Sequence, residues 1–458
     1  MNEAEFKSLV ARQRAFFSSG KTLDYKFRLS ILQHLKTLII KNESILFEAL
    51  YKDLGKPPFE SYASEIGMIL QEINLTMRNL RKWIHPKHVY TPLVHFIARS
   101  YYFYEPYGVV LIISPWNYPF QLLFDPIIGA LAAGNCVIGK PSQRATHTSE
   151  LMIDIISNNF NPEHICLIRG GKETNQILFK EKYDYIFFTG STETGKQVMK
   201  AAADTLTPVS LELGGKNPVI VTDDADIRLS AKRILWGKML NAGQSCVAPD
   251  YILAHSNIKN KLVSEIKICL EKFYGTNPSK SPDFCKIINI SNLERLKKYL
   301  DDGKIIHGGE IIPENCYFSP TLIEGINQDH PAMKEEIFGP ILPIIEYQEL
   351  DKAIEFITRL PRPLAIYIFS NSPNKRNEII KRTQSGGVCI NETVVYFINP
   401  HLPFGGIERS GMGRYHGKFT FETFSYKRSV MHKSNLVDFP VRYPPYRNKI
   451  NILRYFIR

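Results

Sequence analysis

No two of the seven cysteines (Cys136, Cys166, Cys246, Cys269, Cys285, Cys316 and Cys389) stand in CxxC spacing, and their number is odd. That pattern argues against a disulfide framework and a zinc site, so no metal centre is expected and a reducing, cytoplasmic compartment is. The N-terminus, Met1-Asn-Glu-Ala-Glu-Phe6, is acidic and has no apolar core, unlike a signal peptide. No uncharged apolar stretch approaches the length of a membrane span. Internal repeats, low-complexity tracts and the G-x-G-x-x-G fingerprint are all missing. What remains is a chain of 458 residues, 44% hydrophobic and 22% charged, an ordinary globular composition. It is long enough for two domains and a small third element.

Acidic residues are the scarcer charge: 45 against 57 basic, a formal net charge of +12. Nucleic-acid binding would use such an excess, but no nucleic-acid motif accompanies it, so a solvated basic surface is expected instead. Part of the excess is local, since residues 442–458 contain five Arg or Lys and no acid.

Residues 4–82 read as helical. Leu32, Leu35, Ile39, Leu46, Leu50 and Leu54 recur at helix spacing, Asp53-Leu-Gly-Lys56 and two prolines break the pattern, and Glu65 to Trp83 resumes it. Arg99 to Tyr104 is aromatic and extended. From Val109 short apolar runs alternate with helical ones: Val109–Ser114, Cys136–Lys140, His164–Arg169 and Tyr185–Thr189 as strands, with helices over 120–133, 145–158, 172–181 and 193–203. Strands this apolar are buried on both faces. The fold class is therefore α/β, a doubly wound parallel sheet, with a second α/β unit beyond residue 246.

Ligands of such sheets bind beyond the carboxyl ends of the strands. Pro115-Trp-Asn-Tyr-Pro119, Lys140-Pro-Ser-Gln143 and Thr189-Gly-Ser-Thr-Glu-Thr-Gly195 all stand there. A Gly-Ser turn opening a helix offers free N–H groups to a phosphate, and equally serves as a plain helix cap. Glu212 sits in an apolar run before Gly214-Gly215. It either faces a cavity with raised pKa, suited to a general base, or is a surface acid in an alternating strand. Asn241-Ala-Gly-Gln-Ser-Cys246 ends a small-residue turn on one thiol, where backbone N–H groups can support a thiolate.

Six motifs in order span nearly the whole chain: Pro115-Trp-Asn117, Thr189-Gly-Ser191, Glu212-Leu-Gly-Gly-Lys216, Gly243-Gln-Ser-Cys246, Glu336-Ile-Phe-Gly-Pro340 and Pro403-Phe-Gly-Gly406. Together they resemble the aldehyde dehydrogenase superfamily. The short N-terminus, Trp236-Gly-Lys238, Val247-Ala-Pro-Asp250 and Ser410-Gly-Met-Gly413 are similar to its class 3 branch. The resemblance implies a Rossmann-like NAD(P)-binding domain (1–82 and 103–211), a catalytic domain (212–420), and a bridging, oligomerising element (83–102 and 421–441) that makes a homodimer.

It further implies Cys246 as nucleophile, Glu212 as base and Asn117 as oxyanion donor. Lys140, Gln143, Gly190, Ser191, Gly195, Glu336 and Phe338 become the NAD or NADP contacts, and Tyr118, Leu122, Trp236 and Phe404 the walls of an apolar substrate pocket. Gln143 departs from the glutamate common in the family, which leaves NAD and NADP both open. Residues 442–458 form a basic tail in which Ile450, Leu453 and Ile457 share a helical face with Phe456 alongside; such a helix either touches an anionic membrane surface or docks on the protein body.

Overall fold

Two large, mostly parallel sheets, a three-stranded antiparallel sheet and a two-stranded one, Ile311–Ile312 with Tyr317–Phe318, organise the chain in the computed structural model, which describes residues 2–456. The first sheet has six strands, in the order Gly411–Met412, Val209–Leu213, Tyr185–Gly190, Val109–Ile113, Cys136–Lys140, Ile165–Leu167. All are parallel except the two-residue edge, where Gly411 stands opposite Glu212. Chain direction across the sheet reverses at Val109–Ile113, whose five residues are all buried. The crevice beyond that strand is where a doubly wound sheet takes its ligand.

The second sheet runs Lys304–His307, Thr321–Glu324, Ile341–Tyr347, Tyr251–His255, Pro218–Val221, Ala365–Phe369, Gly387–Ile390, again parallel apart from the first edge strand. The chain passes from the first sheet to the second through Gly214 to Asn217. The third sheet pairs Lys87–Val89 with Ala98–Pro106, and Ala98–Pro106 along its full length with Ser425–Lys433.

The N-terminal helices Glu3–Ser18, Tyr25–Lys41, Glu43–Leu54 and Gly67–Ile84 follow the apolar spacing, and Leu32, Leu35, Ile39, Leu46, Leu50 and Leu54 are all buried. One expectation is corrected: the helical path resumes at Pro58, not Glu65. Proline at a first helical position gives up an N–H that has no partner there anyway, so the Pro57-Pro58 pair that halts one helix begins the next. That turn leads into a π-helical segment, Tyr62–Ile66.

At the other end a helix covers Ile450–Phe456, shorter than the spacing suggested. Ile450, Ile452 and Leu453 are about half exposed. The Phe456 side chain, Ile457 and Arg458 lie outside the described residues. Among the described residues no helix is long and apolar enough to cross a membrane.

Candidate active site

The loop that carries Cys246 is bent by three successive left-handed residues. Asn241 and Ala242 have φ +51° and Gly243 has φ +74°. A side chain at 243 would put its Cβ 2.3 Å from the Gly339 carbonyl oxygen, so glycine is required there. The left-handed geometry costs Asn241 and Ala242 about 1–2 kcal/mol each. Hydrogen bonds offset it. Asn241 N–H donates to Glu60 at 2.7 Å, its side-chain amide donates to the Asn117 carbonyl at 2.8 Å, and Gln244 returns a bond to the Asn241 carbonyl at 2.9 Å. Beyond the thiol, Asn217 holds the Cys246 and Ala248 carbonyls at 2.7 and 3.1 Å.

The turn delivers the thiol to the wall of a cavity of about 460 Å³. Tyr118, Leu122, Trp236 and Phe404 line the same cavity, so all four residues expected around the substrate meet there. Val247, Phe397 and Tyr415 also line it and were missed. Tyr415 pairs with Phe404 across an isolated bridge, a contact with no spacing signal in sequence. Burial pushes the Cys246 thiol up, Glu336 and Glu212 push it further, and its own and the Val247 N–H groups oppose them.

Asn117 follows the switch-point strand. One N–H of its amide donates to the Gln244 carbonyl at 3.0 Å, which fixes the group and leaves the other N–H to aim elsewhere. Glu212 lies near the carboxyl end of its strand, paired with Thr189 on one side and Gly411 on the other. It is buried, both carboxyl oxygens lack a hydrogen-bond partner among the described residues, and a side chain at Gly405 would stand 2.9 Å from one of them. The surface-acid alternative therefore fails. Desolvation holds this carboxyl well above the usual range, and Arg414 pulls the other way.

The expected cofactor residues gather along the carboxyl edge of the first sheet. Lys140 ends its strand and is mostly buried, which lowers its amine to about 8. Tyr185–Gly190 runs into Ser191, whose hydroxyl accepts the Thr194 N–H and caps helix Thr192–Ala203. Gly195 lets that helix close onto the sheet, since a Cβ there would lie 2.8 Å from Leu213. Gln143 is exposed beside Gly171, where an added Cβ would reach its amide at 2.6 Å.

Glu336 points one oxygen at the Gly214 backbone and leaves the other buried without a partner; burial, with Asp250, raises it to about 8. Phe338 meets Trp116 edge-on at 5.4 Å. A capped helix N-terminus, a close-packing glycine and an unsatisfied buried carboxyl fit a dinucleotide laid across this edge.

Comparison with known proteins gives the same direction. The aldehyde dehydrogenase family model matches residues 1–430. The chain is 45% identical to the 4,4'-diaponeurosporen-aldehyde dehydrogenase of Staphylococcus aureus over 97% of each chain. It is 43% identical to the dimeric NADP-preferring aldehyde dehydrogenase of Rattus norvegicus, over 95% of this chain and 97% of that one. The substrate-bound structure of Staphylococcus aureus AldH superposes with a TM-score of 0.98 at 44% identity, covering 99% of both chains. The chain thus belongs to the aldehyde dehydrogenase family, on its class 3 side, and is an NAD(P)-dependent enzyme that oxidises aldehydes.

Proposed function

We propose that the chain oxidises an apolar aldehyde, medium- or long-chain aliphatic or aromatic, to its carboxylic acid by covalent catalysis at Cys246. The observation that carries this reading is Glu212: a buried carboxyl with both oxygens unsatisfied, coupled electrostatically to a thiol on the wall of an apolar cavity. The Cys246 thiolate adds to the carbonyl carbon. The free N–H of Asn117 and the Cys246 backbone N–H receive the developing oxyanion. Bound NAD or NADP supplies the hydride acceptor, and Cys246 is left holding the acyl group as a thioester. Glu212 then takes a proton from the water that attacks the thioester, and the acid leaves. Lys140 and Gln143 would hold the adenosine ribose of that cofactor, the turn of Gly190, Ser191 and Gly195 its phosphates, and Glu336 with Phe338 its nicotinamide half.

The aromatic and aliphatic walls at Tyr118, Leu122, Trp236 and Phe404 support an apolar substrate, as does the name of the staphylococcal relative. A kinetic panel of aliphatic chain lengths and benzaldehydes, run with both cofactors, tests it: kcat/KM should climb with chain length, and a preference for short hydrophilic aldehydes would overturn the reading. In the same panel Gln143→Glu should lower kcat/KM for NADP about tenfold or more while sparing NAD, because a carboxylate then faces the 2′-phosphate. Unchanged NADP kinetics would mean the side chain points elsewhere.

The two large sheets support a cofactor domain and a catalytic domain divided near residue 212, with residues 83–102 and 421–441 as a bridging element. Exposed Tyr90, Leu93, Val94 and Phe96 within that element, and the dimeric rat relative, support a homodimer. In a cytoplasmic enzyme the half-exposed Ile450, Ile452 and Leu453, flanked by Arg447, Lys449 and Arg454, suit an anionic membrane surface. Full-length protein should sediment with anionic liposomes at low salt, and a chain truncated after Pro445 should not; equal behaviour of the two would exclude the tail as an anchor.

A further inference from the structure

Lys56, in the segment that breaks the N-terminal helical pattern, has no part in the chemistry above, yet it is completely buried. Its amine pairs with Glu65 at 2.5 Å, donates to the Asn117 carbonyl at 3.2 Å, and sits 4.2 Å from the centre of the Tyr118 ring. Glu65, equally buried, accepts the Phe120 N–H at 2.9 Å and the Gln121 N–H at 3.3 Å, and so caps a helix that has no capping side chain of its own. Glu60, on the cavity wall, accepts the Asn241 N–H at 2.7 Å, and the Cys285 sulfur lies 3.8 Å from its other oxygen.

Glu60 and Glu65 are five residues apart, which in a regular α-helix would leave their side chains about 140° apart. The wider π turn of Tyr62–Ile66 brings both toward the catalytic loops. Glu60 thus grips the loop of the nucleophile, and Lys56 with Glu65 grips the segment of the oxyanion donor. The Asn117 carbonyl joins the two, since Lys56 and the Asn241 amide both donate to it.

The geometry points to Lys56, Glu60 and Glu65 as positioning residues: a buried charged bracket that holds the Asn117 amide and the Cys246 sulfur in register for addition to the carbonyl. This rests on Cys246 as nucleophile and Asn117 as oxyanion donor. The Lys56–Glu65 pair sets the aim of Asn117, and Glu60 sustains the left-handed Asn241 from which the chain runs to Cys246.

The test is the pre-steady-state burst of reduced cofactor, expressed per titrated thiol, alongside alkylation of Cys246 by iodoacetamide, which needs no oxyanion hole. The double variant Lys56→Met/Glu65→Gln removes the pair without leaving one charge buried alone. Its burst rate constant should fall about 100-fold, the loss expected from a misplaced catalytic group, while alkylation stays within about threefold of wild type. Glu60→Ala should slow both burst and alkylation at least about tenfold, and Glu60→Gln, whose amide oxygen still accepts the Asn241 N–H, should restore both.

A wild-type burst in the double variant, or equal loss in Glu60→Gln and Glu60→Ala, overturns the proposal. Should the double variant not fold, the Glu60 pair decides alone. Cys246→Ala is run beside them: a surviving burst there overturns the nucleophile itself, whereas its loss with wild-type bursts in the bracket variants overturns only the positioning.

Discussion

Cys246→Ala should abolish aldehyde oxidation, by roughly 10⁶ in kcat if the loss matches removal of a nucleophile in other covalent enzymes. The reason is chemical. An aldehyde hydrogen becomes a usable hydride only after the carbonyl carbon has turned tetrahedral and its oxygen carries charge, and alanine has nothing to add. Fold and cofactor binding should survive. The side chain is small and stands on a cavity wall, and the loop is held by Asn241, Gln244 and Asn217 rather than by the sulfur. Fluorescence of the reduced cofactor gives turnover and cofactor affinity in one experiment. Substantial turnover in the variant would remove Cys246 from its role.

Glu212→Gln should divide the reaction. Acylation needs thiolate, oxyanion donors and hydride acceptor, so a burst of reduced cofactor close to one equivalent per site should persist. Hydrolysis of the thioester needs the base, and steady turnover after the burst should fall by about 10²–10⁴, the usual contribution of a positioned general base. The pH dependence follows from the raised pKa. Only the ionised carboxyl can take a proton, and burial moves ionisation to higher pH, so wild-type deacylation should climb as pH rises above the ordinary carboxylate range while the variant's profile stays flat. Stability carries the opposite sign. Folding disfavours the ionised form, so this carboxyl is best tolerated below its unfolded pKa of about 4.3 and costs stability as pH rises toward its folded value. Glu212→Gln should therefore melt higher than wild type at pH 8 and show no gain near pH 4. A burst lost in proportion to turnover would assign Glu212 to activating the thiol instead.

Much of this architecture was legible in sequence because local patterns and tertiary demands agree. The strands at Val109, Cys136 and Tyr185 are apolar up to their carboxyl ends because both their faces are covered, and the motifs stand where a doubly wound sheet presents its loops. Glu212 stayed ambiguous, since a lone acid in a strand does not disclose which face is buried or whether Gly405 and Gly411 close over it. The bracket behind the catalytic loops was invisible for a related reason. Lys56 and Glu65 are near in sequence, but their targets Asn117, Phe120 and Gln121 are not, and a π turn leaves no mark in apolar spacing. Two consecutive left-handed residues at Asn241 and Ala242 were equally hidden, because tertiary hydrogen bonds rather than residue preference hold them.

On the role proposed for Glu212, its edge pairing with Gly411 would tie hydrolysis to the arrival of the C-terminal part of the chain. Glu212 leaves the ribosome long before residues 405–412, which stand over its carboxyl in the folded chain. The phosphate turn leans on those residues as well, since the Thr192 hydroxyl donates to the Arg409 carbonyl at 3.1 Å. A chain clipped by a protease within 405–412 should therefore lose both the cover over the Glu212 carboxyl and one tether of the phosphate turn, while the loop that carries Cys246 keeps its bonds to Glu60 and Asn117. On the proposed roles of Cys246 and Glu212 such a chain should turn over slowly, so steady turnover would also report that the C-terminal part of the chain was made, delivered and left intact.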